Sequence, residues 1–90
     1  MATDTDQEDV VIVEGRNVLD VAVKALVDYP EHVEIENSLG GPTILFTIIV
    51  CKEDIGKVIG RGGRNITFIR GLVSAFGAKH NRRIIIEIKQ

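Results

Sequence analysis

Cysteine, tryptophan and long apolar runs are scarce or missing in this chain of 90 residues, which has one cysteine and no tryptophan. The single cysteine, Cys51, permits no internal disulfide and favours a reducing, cytoplasmic compartment. The longest nearly apolar run, from Ile44 to Cys51, is far shorter than the roughly 20 residues that a membrane-spanning helix needs. The acidic amino terminus fits neither a secretory signal nor an arginine-rich transit peptide. We therefore expect a cytoplasmic domain with no membrane contact.

Residues that carry catalysis or bind metals are also scarce. The two histidines, His32 and His80, are far apart in the sequence, and neither has a spacing to Cys51 that is typical of a catalytic or metal site. Cys51 is instead expected to be a small core residue. No pair of acids stands out from the predicted solvated strand face of Glu34 and Glu36. The sequence thus predicts no enzyme, no metal site and no cofactor.

Each half of the chain has little charge of one sign. Residues 1–51 carry ten acids and two bases, a net charge of −8, whereas residues 52–90 carry nine bases and three acids, a net charge of +6. Between Lys57 and Arg83 there are seven cations and no acid. This segment predicts a surface that attracts anions, the alternative being an ordinary solvated basic face.

The pattern of apolar residues predicts one α+β domain with the element order α-β-β-α-α-β. Residues 1–15 are expected to be an acidic, flexible tail, and residues 16–90 the folded domain. Within the tail, the short apolar run at 10–13 could add an edge strand or dock loosely. The first helix is predicted to begin near Asn17, whose side chain would cap it, and to end before Pro30.

Alternation of apolar residues predicts three strands, the first two of which form a hairpin. Two helices joined by a sharp glycine turn are predicted between the second and third strands. A right-handed crossover through these helices places them on one face of a three-stranded mixed sheet, as a two-layer sandwich. The predicted strands are 32–37, 43–51 and 82–89, and the predicted helices of the crossover are 53–59 and 64–79.

Two features predict contact with a neighbouring element or a second subunit. The first helix carries a second apolar set, Val18, Val21 and Ala25, beyond the stripe that packs on one sheet face. Gly71 and Gly77 lie inside the last helix, where each costs about 1 kcal/mol relative to alanine, which favours close approach of a neighbour. Core packing alone is the alternative to a dimer.

The most informative motif is Gly60-Arg61-Gly62-Gly63, between two predicted helices. It is not a P-loop, because neither Gly60 nor Gly63 is followed by lysine and then serine or threonine. It is not a dinucleotide-binding fingerprint, because Asn65 stands where a third small residue would be needed and a short helix precedes the motif. The segment is therefore a glycine-x-x-glycine turn flanked by apolar and basic residues.

The pattern Val-Ile-Gly-x-x-Gly-x-x-Ile-x-x-Ile, complete over residues 58–69, resembles the core of the KH RNA-binding domain. The element order resembles the type II arrangement of that fold. Because the resemblance covers residues 18–89, the chain is similar to the small bacterial single-KH RNA-binding proteins of the KhpA/YlqC-like family. It departs from them in its acidic extension and in Gly71 and Gly77.

This resemblance implies a protein that binds single-stranded RNA and acts as an RNA chaperone or post-transcriptional regulator. It also implies pairing as a heterodimer with a longer KH-domain RNA-binding protein, whereas a homodimer is predicted from the second apolar set of the first helix and the glycines of the last. The alternative is a protein-interaction adaptor that uses the same groove without RNA.

Elementary chemistry predicts the same site. Glycines without Cβ atoms let a sugar-phosphate backbone approach the main chain, and helix N-terminal amides attract phosphate. Arginine and lysine side chains add charge around the loop. The floor of a groove for unstacked bases would be formed by Ile55, Ile59 and Ile66. The predicted RNA-contacting residues are Lys57, Val58, Ile59, Gly60, Arg61, Gly62, Gly63, Arg64 and Ile66.

Overall fold

A three-stranded sheet covered on one face by helices forms the fold, in a computed structural model that describes residues 9–90. The order α-β-β-α-α-β and the α+β sandwich confirm the predicted fold class. The expected flexibility of residues 1–8 lies outside the described range. The elements are α1 (Val10–Lys24), β1 (Glu34–Gly40), β2 (Thr43–Ile49), α2 (Ile55–Ile59), α3 (Arg64–Lys79) and β3 (Arg83–Ile88).

The sheet is mixed, as predicted, with the order β1-β2-β3. A tight hairpin brings Gly40 opposite Thr43, so β1 and β2 are antiparallel. The crossover through α2 and α3 returns the chain parallel to β2, with Ile44 beside Ile84 and Ile48 beside Ile88. This arrangement places β3 at one edge of the sheet, and the residues that follow it, Lys89 and Gln90, line a cleft with Ile55 at the start of α2.

The core lies between the sheet and the helices. Ile44, Phe46 and Ile48 of β2 are completely buried, because alternate residues of a strand face the same side and the helices cover that side. The helices contribute apolar side chains at intervals of three and four residues. Those with no more than 1% exposure are Leu19, Val23, Val58, Ile69 and Val73.

The two glycines in α3 have different surroundings. A Cβ atom on Gly77 would lie 2.6 Å from the carbonyl oxygen of Arg82 and 3.0 Å from the Ile84 side chain, so the predicted close approach is confirmed there. The neighbour is β3 of the same chain. A Cβ atom on Gly71 would meet nothing within 4 Å in the described part of the chain, so no element among residues 9–90 approaches it closely, and the approach of a second subunit there stays a prediction.

The beginning of α1 differs from the prediction. The helix starts at Val10 and not near Asn17, and the side chain of Asp9 caps it by accepting a hydrogen bond from the Val11 amide at 3.0 Å. Residues 10–13 are therefore helical, and the predicted alternative of an edge strand in this run is wrong. Burial of Ile12, which is 6% exposed, stabilises the helix despite the β-branched run.

The end of α1 also comes earlier than expected. The helix stops at Lys24, and Pro30 instead begins a 3₁₀ turn that continues to His32. As a result β1 begins at Glu34, after the position predicted from the alternation. Within residues 9–90, no helix combines the length and the apolar character that a bilayer span requires.

Candidate nucleic-acid interface

The glycine loop between α2 and α3 depends on backbone conformations that favour glycine. Gly60, Gly62 and Gly63 all have positive φ angles, of 79°, 62° and 80°. The turn is closed by a hydrogen bond that the Gly63 amide donates to the Gly60 carbonyl at 3.0 Å. Because residues with side chains rarely adopt these angles, the glycines fix the sharp change of direction between the two helices.

Asn65 holds this loop from the inside, a role that the sequence analysis missed. Its Nδ2 atom donates a hydrogen bond to the carbonyl oxygen of Lys57 at 2.9 Å, so it satisfies a carbonyl near the end of α2. A Cβ atom on Gly60 would lie only 2.6 Å from the Asn65 side chain. An amide side chain two residues after a glycine turn is the signal that could have indicated this contact.

Positive charge surrounds the loop. Arg61 and Arg64 are exposed, and the first turn of α3 contains no acid that would neutralise its amide dipoles. Lys57, one turn before the loop, places its Nζ atom 3.3 Å from a carboxylate oxygen of Asp28. Two arginines and the amino end of a 16-residue helix therefore face solvent together, an arrangement suited to binding a phosphate.

The predicted apolar contacts are divided between the surface and the core. Val58 is completely buried and Ile66 is 6% exposed, so both side chains lie in the core, and Ile66 is not available as part of the predicted groove floor. Ile59 is half-buried beside the loop. Ile55 is half-buried and lines a cleft of about 470 Å³ with residues at the ends of β2 and β3, which include Lys52 and Lys89.

The basic segment does not form one continuous patch. Lys57, Arg61 and Arg64 lie around the glycine loop. Arg70 and Arg83 line a separate groove between α3 and β3, together with a third arginine, Arg82. Local sequence could not predict this division, because it depends on the path of β3.

Large apolar side chains lie exposed on the outer side of α1 and α3. Val21 and Phe68 are each 70% exposed, and Leu72 is 41% exposed. A shallow groove of about 390 Å³ lies between the two helices, and Ala25 and Phe68 are among its lining residues. Val21 and Ala25 belong to the second apolar set of the first helix, and both are exposed.

The environment of Cys51 differs from the expected core position. Its side chain is half-exposed, and its Sγ atom donates a hydrogen bond to Oε1 of Glu53 at 2.8 Å. This contact raises the pKa of the Cys51 thiol above its ordinary value of 9.0. The thiol is therefore protonated at neutral pH, which is the opposite of what a nucleophilic cysteine requires.

Comparison with known proteins identifies the family. Residues 16–88 match the family model described as KhpA/KhpB, KH domain. A protein of Clostridium perfringens named RNA-binding protein KhpA is 38% identical over 73 residues, which cover 81% of this chain and 97% of the relative. The protein of that name from Caldanaerobacter subterraneus is 46% identical over 65 residues, covering 72% of this chain and 87% of the relative.

A third relative with the same name, from Listeria monocytogenes, is 44% identical over 66 residues, covering 73% of this chain and 87% of the relative. These proteins are named for RNA binding and not for catalysis, in keeping with the prediction of a non-enzyme. No solved structure matches the chain significantly. The family match over most of the domain, together with the fold and the glycine loop, shows that this chain belongs to the KhpA/KhpB KH-domain family.

Proposed function

We propose that this protein binds single-stranded RNA by gripping the sugar-phosphate backbone at Gly60–Gly63. The observation that carries the proposal is the exposed glycine turn at the amino end of α3, with Arg61 and Arg64 beside it and no acid in the first helical turn. Relatives named RNA-binding protein KhpA support the same class of ligand. The glycines admit the backbone, and the amides and arginines neutralise its charge.

The predicted site residues divide into two roles in this proposal. Lys57, Arg61 and Arg64 contact phosphates, while Ile59 offers apolar surface next to the loop. Val58 and Ile66 act from the core, where they hold the loop on the sheet. The main chain of the glycines makes the closest approach to RNA.

RNA binding of this kind suits an RNA chaperone or post-transcriptional regulator in the bacterial cytoplasm. Contacts to the sugar-phosphate backbone carry little sequence information, so this grip would accept RNAs of different sequence. We also propose that the exposed apolar face of Val21, Phe68 and Leu72 pairs with a second KH domain, in a homodimer or in a heterodimer with a longer KH protein. An adaptor without RNA binding is the competing function, because this apolar face would serve it equally well.

The test replaces two loop residues by acids, as Arg61→Asp with Gly62→Asp. Both positions are exposed, and a Cβ atom on Gly62 would meet nothing within 4 Å, so the fold should persist. We expect loss of affinity for a single-stranded oligonucleotide in fluorescence anisotropy. A matched control, Lys79→Asp with Gly40→Asp, changes the net charge equally at exposed positions far along the chain from the loop and should bind nearly as well as the wild type.

Salt provides a second measurement. With about three or four phosphates neutralised, the logarithm of affinity should fall against the logarithm of salt with a slope of roughly −2 to −3. If the variant with two loop acids still bound RNA, or if RNA affinity did not depend on salt, the loop would not be the RNA-binding site. Either result would favour the adaptor function.

A further inference from the structure

An aromatic pair lies exposed on the loop between α1 and β1, outside the residues assigned to the glycine loop. Tyr29 is 44% exposed. His32, at the end of the 3₁₀ turn, has a side chain that is 59% exposed. The two rings meet edge to face, with centroids 6.2 Å apart and planes inclined by 74°. Because both side chains are this exposed, the loop offers a small aromatic surface to solvent.

The main chain under this pair is fixed to the start of α2. The amides of Asp28 and Tyr29 donate hydrogen bonds of 3.1 and 3.0 Å to the carboxylate of Asp54, which is completely buried and immediately precedes α2. The His32 amide donates to the Tyr29 carbonyl at 3.0 Å, which closes the turn that carries both rings. The aromatic pair therefore has a defined position relative to α2.

That position is close to the proposed grip on RNA. Helix α2 has only five residues and ends at the glycine loop. Its length is about 7.5 Å at 1.5 Å per residue. Oδ2 of Asp28, the neighbour of Tyr29, lies 3.3 Å from Nζ of Lys57, which is one turn before Gly60. A stacked strand rises about 3.4 Å per nucleotide, so two or three nucleotides beyond the loop cover the length of α2.

The charges around the pair favour an uncharged ring as its ligand. Asp28 and Glu31 are exposed acids next to the two aromatic residues, and Oε2 of Glu31 lies 3.9 Å from Nε2 of His32. Carboxylates repel phosphate, so this surface does not suit the sugar-phosphate backbone. A nucleobase, by contrast, has a flat π face that stacks on an aromatic ring.

We propose that Tyr29 and His32 form a stacking platform for one nucleobase of the RNA strand held at the glycine loop. This inference rests on the proposed function and adds a base contact to a site otherwise built for the backbone. Lys57, between the platform and the loop, faces the phosphate that joins the two parts of the bound strand. The platform adds affinity with little choice of base, since every base has a π face.

The first experiment uses the wild-type protein. Tyr29 is the single tyrosine and the chain has no tryptophan, so tyrosine fluorescence reports on the platform alone. Titration with a twelve-nucleotide oligouridylate should quench this fluorescence, after correction for absorption by the RNA, because a base stacks on the ring. An abasic ribose-phosphate strand of the same length should still bind the glycine loop and leave the fluorescence unchanged.

The second experiment compares variants at Tyr29 by fluorescence anisotropy of the labelled oligouridylate. Tyr29→Ala should bind about fivefold to tenfold more weakly than the wild type. Tyr29→Phe is the matched control, because it keeps the ring and should bind within about twofold of the wild type. Tyr29→Leu keeps apolar bulk without a flat ring and should bind as weakly as Tyr29→Ala. All three retain the main-chain amide that Asp54 holds.

The two experiments distinguish failure of the platform from failure of the proposed function. If the oligouridylate binds without changing the fluorescence, or if the abasic strand quenches it equally, the platform is overturned and the grip at the glycine loop stands. Equal affinities of the wild type and Tyr29→Ala would overturn the platform in the same way. If the wild type binds neither strand at any salt concentration, the proposed function fails and the platform fails with it.

Discussion

The carboxylate of Asp54 accepts a hydrogen bond from the amide nitrogen of Tyr29 at 3.0 Å, in a position with no solvent exposure. Its other oxygen accepts from the amide of Asp28 at 3.1 Å. The ion pair between Lys57 and Asp28 adds a more exposed link between the same two segments. The loop after α1 is thus tied to the residues that open α2, and α2 leads directly into the glycine loop.

Removing this buried acceptor should destabilise the domain. Asp54→Ala leaves two amides without their partner, so we expect the free energy of unfolding to fall by about 2–4 kcal/mol. Asp54→Asn keeps one acceptor oxygen, so its free energy of unfolding should fall by less than that of Asp54→Ala. Urea denaturation followed by circular dichroism measures both, and an alanine variant within about 0.5 kcal/mol of the wild type would contradict the role given to Asp54.

Two alanine substitutions in the glycine loop should differ in cost. At Gly60 a Cβ atom meets Asn65 at 2.6 Å and φ is 79°, whereas at Gly62 the φ of 62° is unfavourable but the space is open. Gly62→Ala should therefore cost about 1–2 kcal/mol, and Gly60→Ala clearly more. Thermal melts of the two variants compare them directly, and equal stabilities would argue against the contact with Asn65.

The ion pair at the start of α1 predicts a pH dependence. The hydrogen bond from Arg82 holds the pKa of the Asp9 carboxyl below its ordinary value of 3.8. Because the folded pKa is lower than the unfolded one, charged Asp9 stabilises the fold above about pH 4, and this contribution is lost as pH falls through the folded value. Asp9→Asn keeps a capping oxygen but not the charge. The stability difference between wild type and Asp9→Asn should be constant from about pH 5 to 7 and vanish in stronger acid.

Two truncations should separate the acidic segment from the helix. Deleting residues 1–8 should shift the melting midpoint by no more than a few degrees, because this acidic sequence without apolar periodicity offers no apolar face to bury. Deleting residues 1–15 also removes the Asp9 cap and the buried Ile12, which should cost about 2 kcal/mol or more. A tolerated longer deletion would show that the domain needs only residues 16–90.

The exposed apolar face should mediate self-association. Light scattering at micromolar concentration should show a dimer for the wild type and a monomer for Phe68→Glu, since a charge on this face opposes its burial. Leu39→Glu is the control, because Leu39 is 56% exposed on β1, outside this face. A wild-type chain that stays monomeric would leave the face to a different partner.

Much of the fold was determined by local patterns in the sequence. Helix α3 spans Arg64–Lys79 as its spacing predicts, and β2 and β3 lie within two residues of the predicted bounds, because alternation and three-to-four spacing record which side of each element is buried. The glycine turn could also be predicted from the sequence, since the positive φ angles at these positions favour glycine.

Only the tertiary structure decided which residues distant in the sequence contact one another. The start of α1 depends on Arg82, which lies 73 residues after its partner Asp9, and on Ile12 entering the core. Burial of Val58 beneath the loop, the link from Asp54 to Tyr29 and the separation of Arg70 and Arg83 from the loop arginines follow from the packing of α2, α3 and β3. Local sequence sets which conformations a segment favours, but hydrogen bonds and burial between distant segments arise only once the chain has folded.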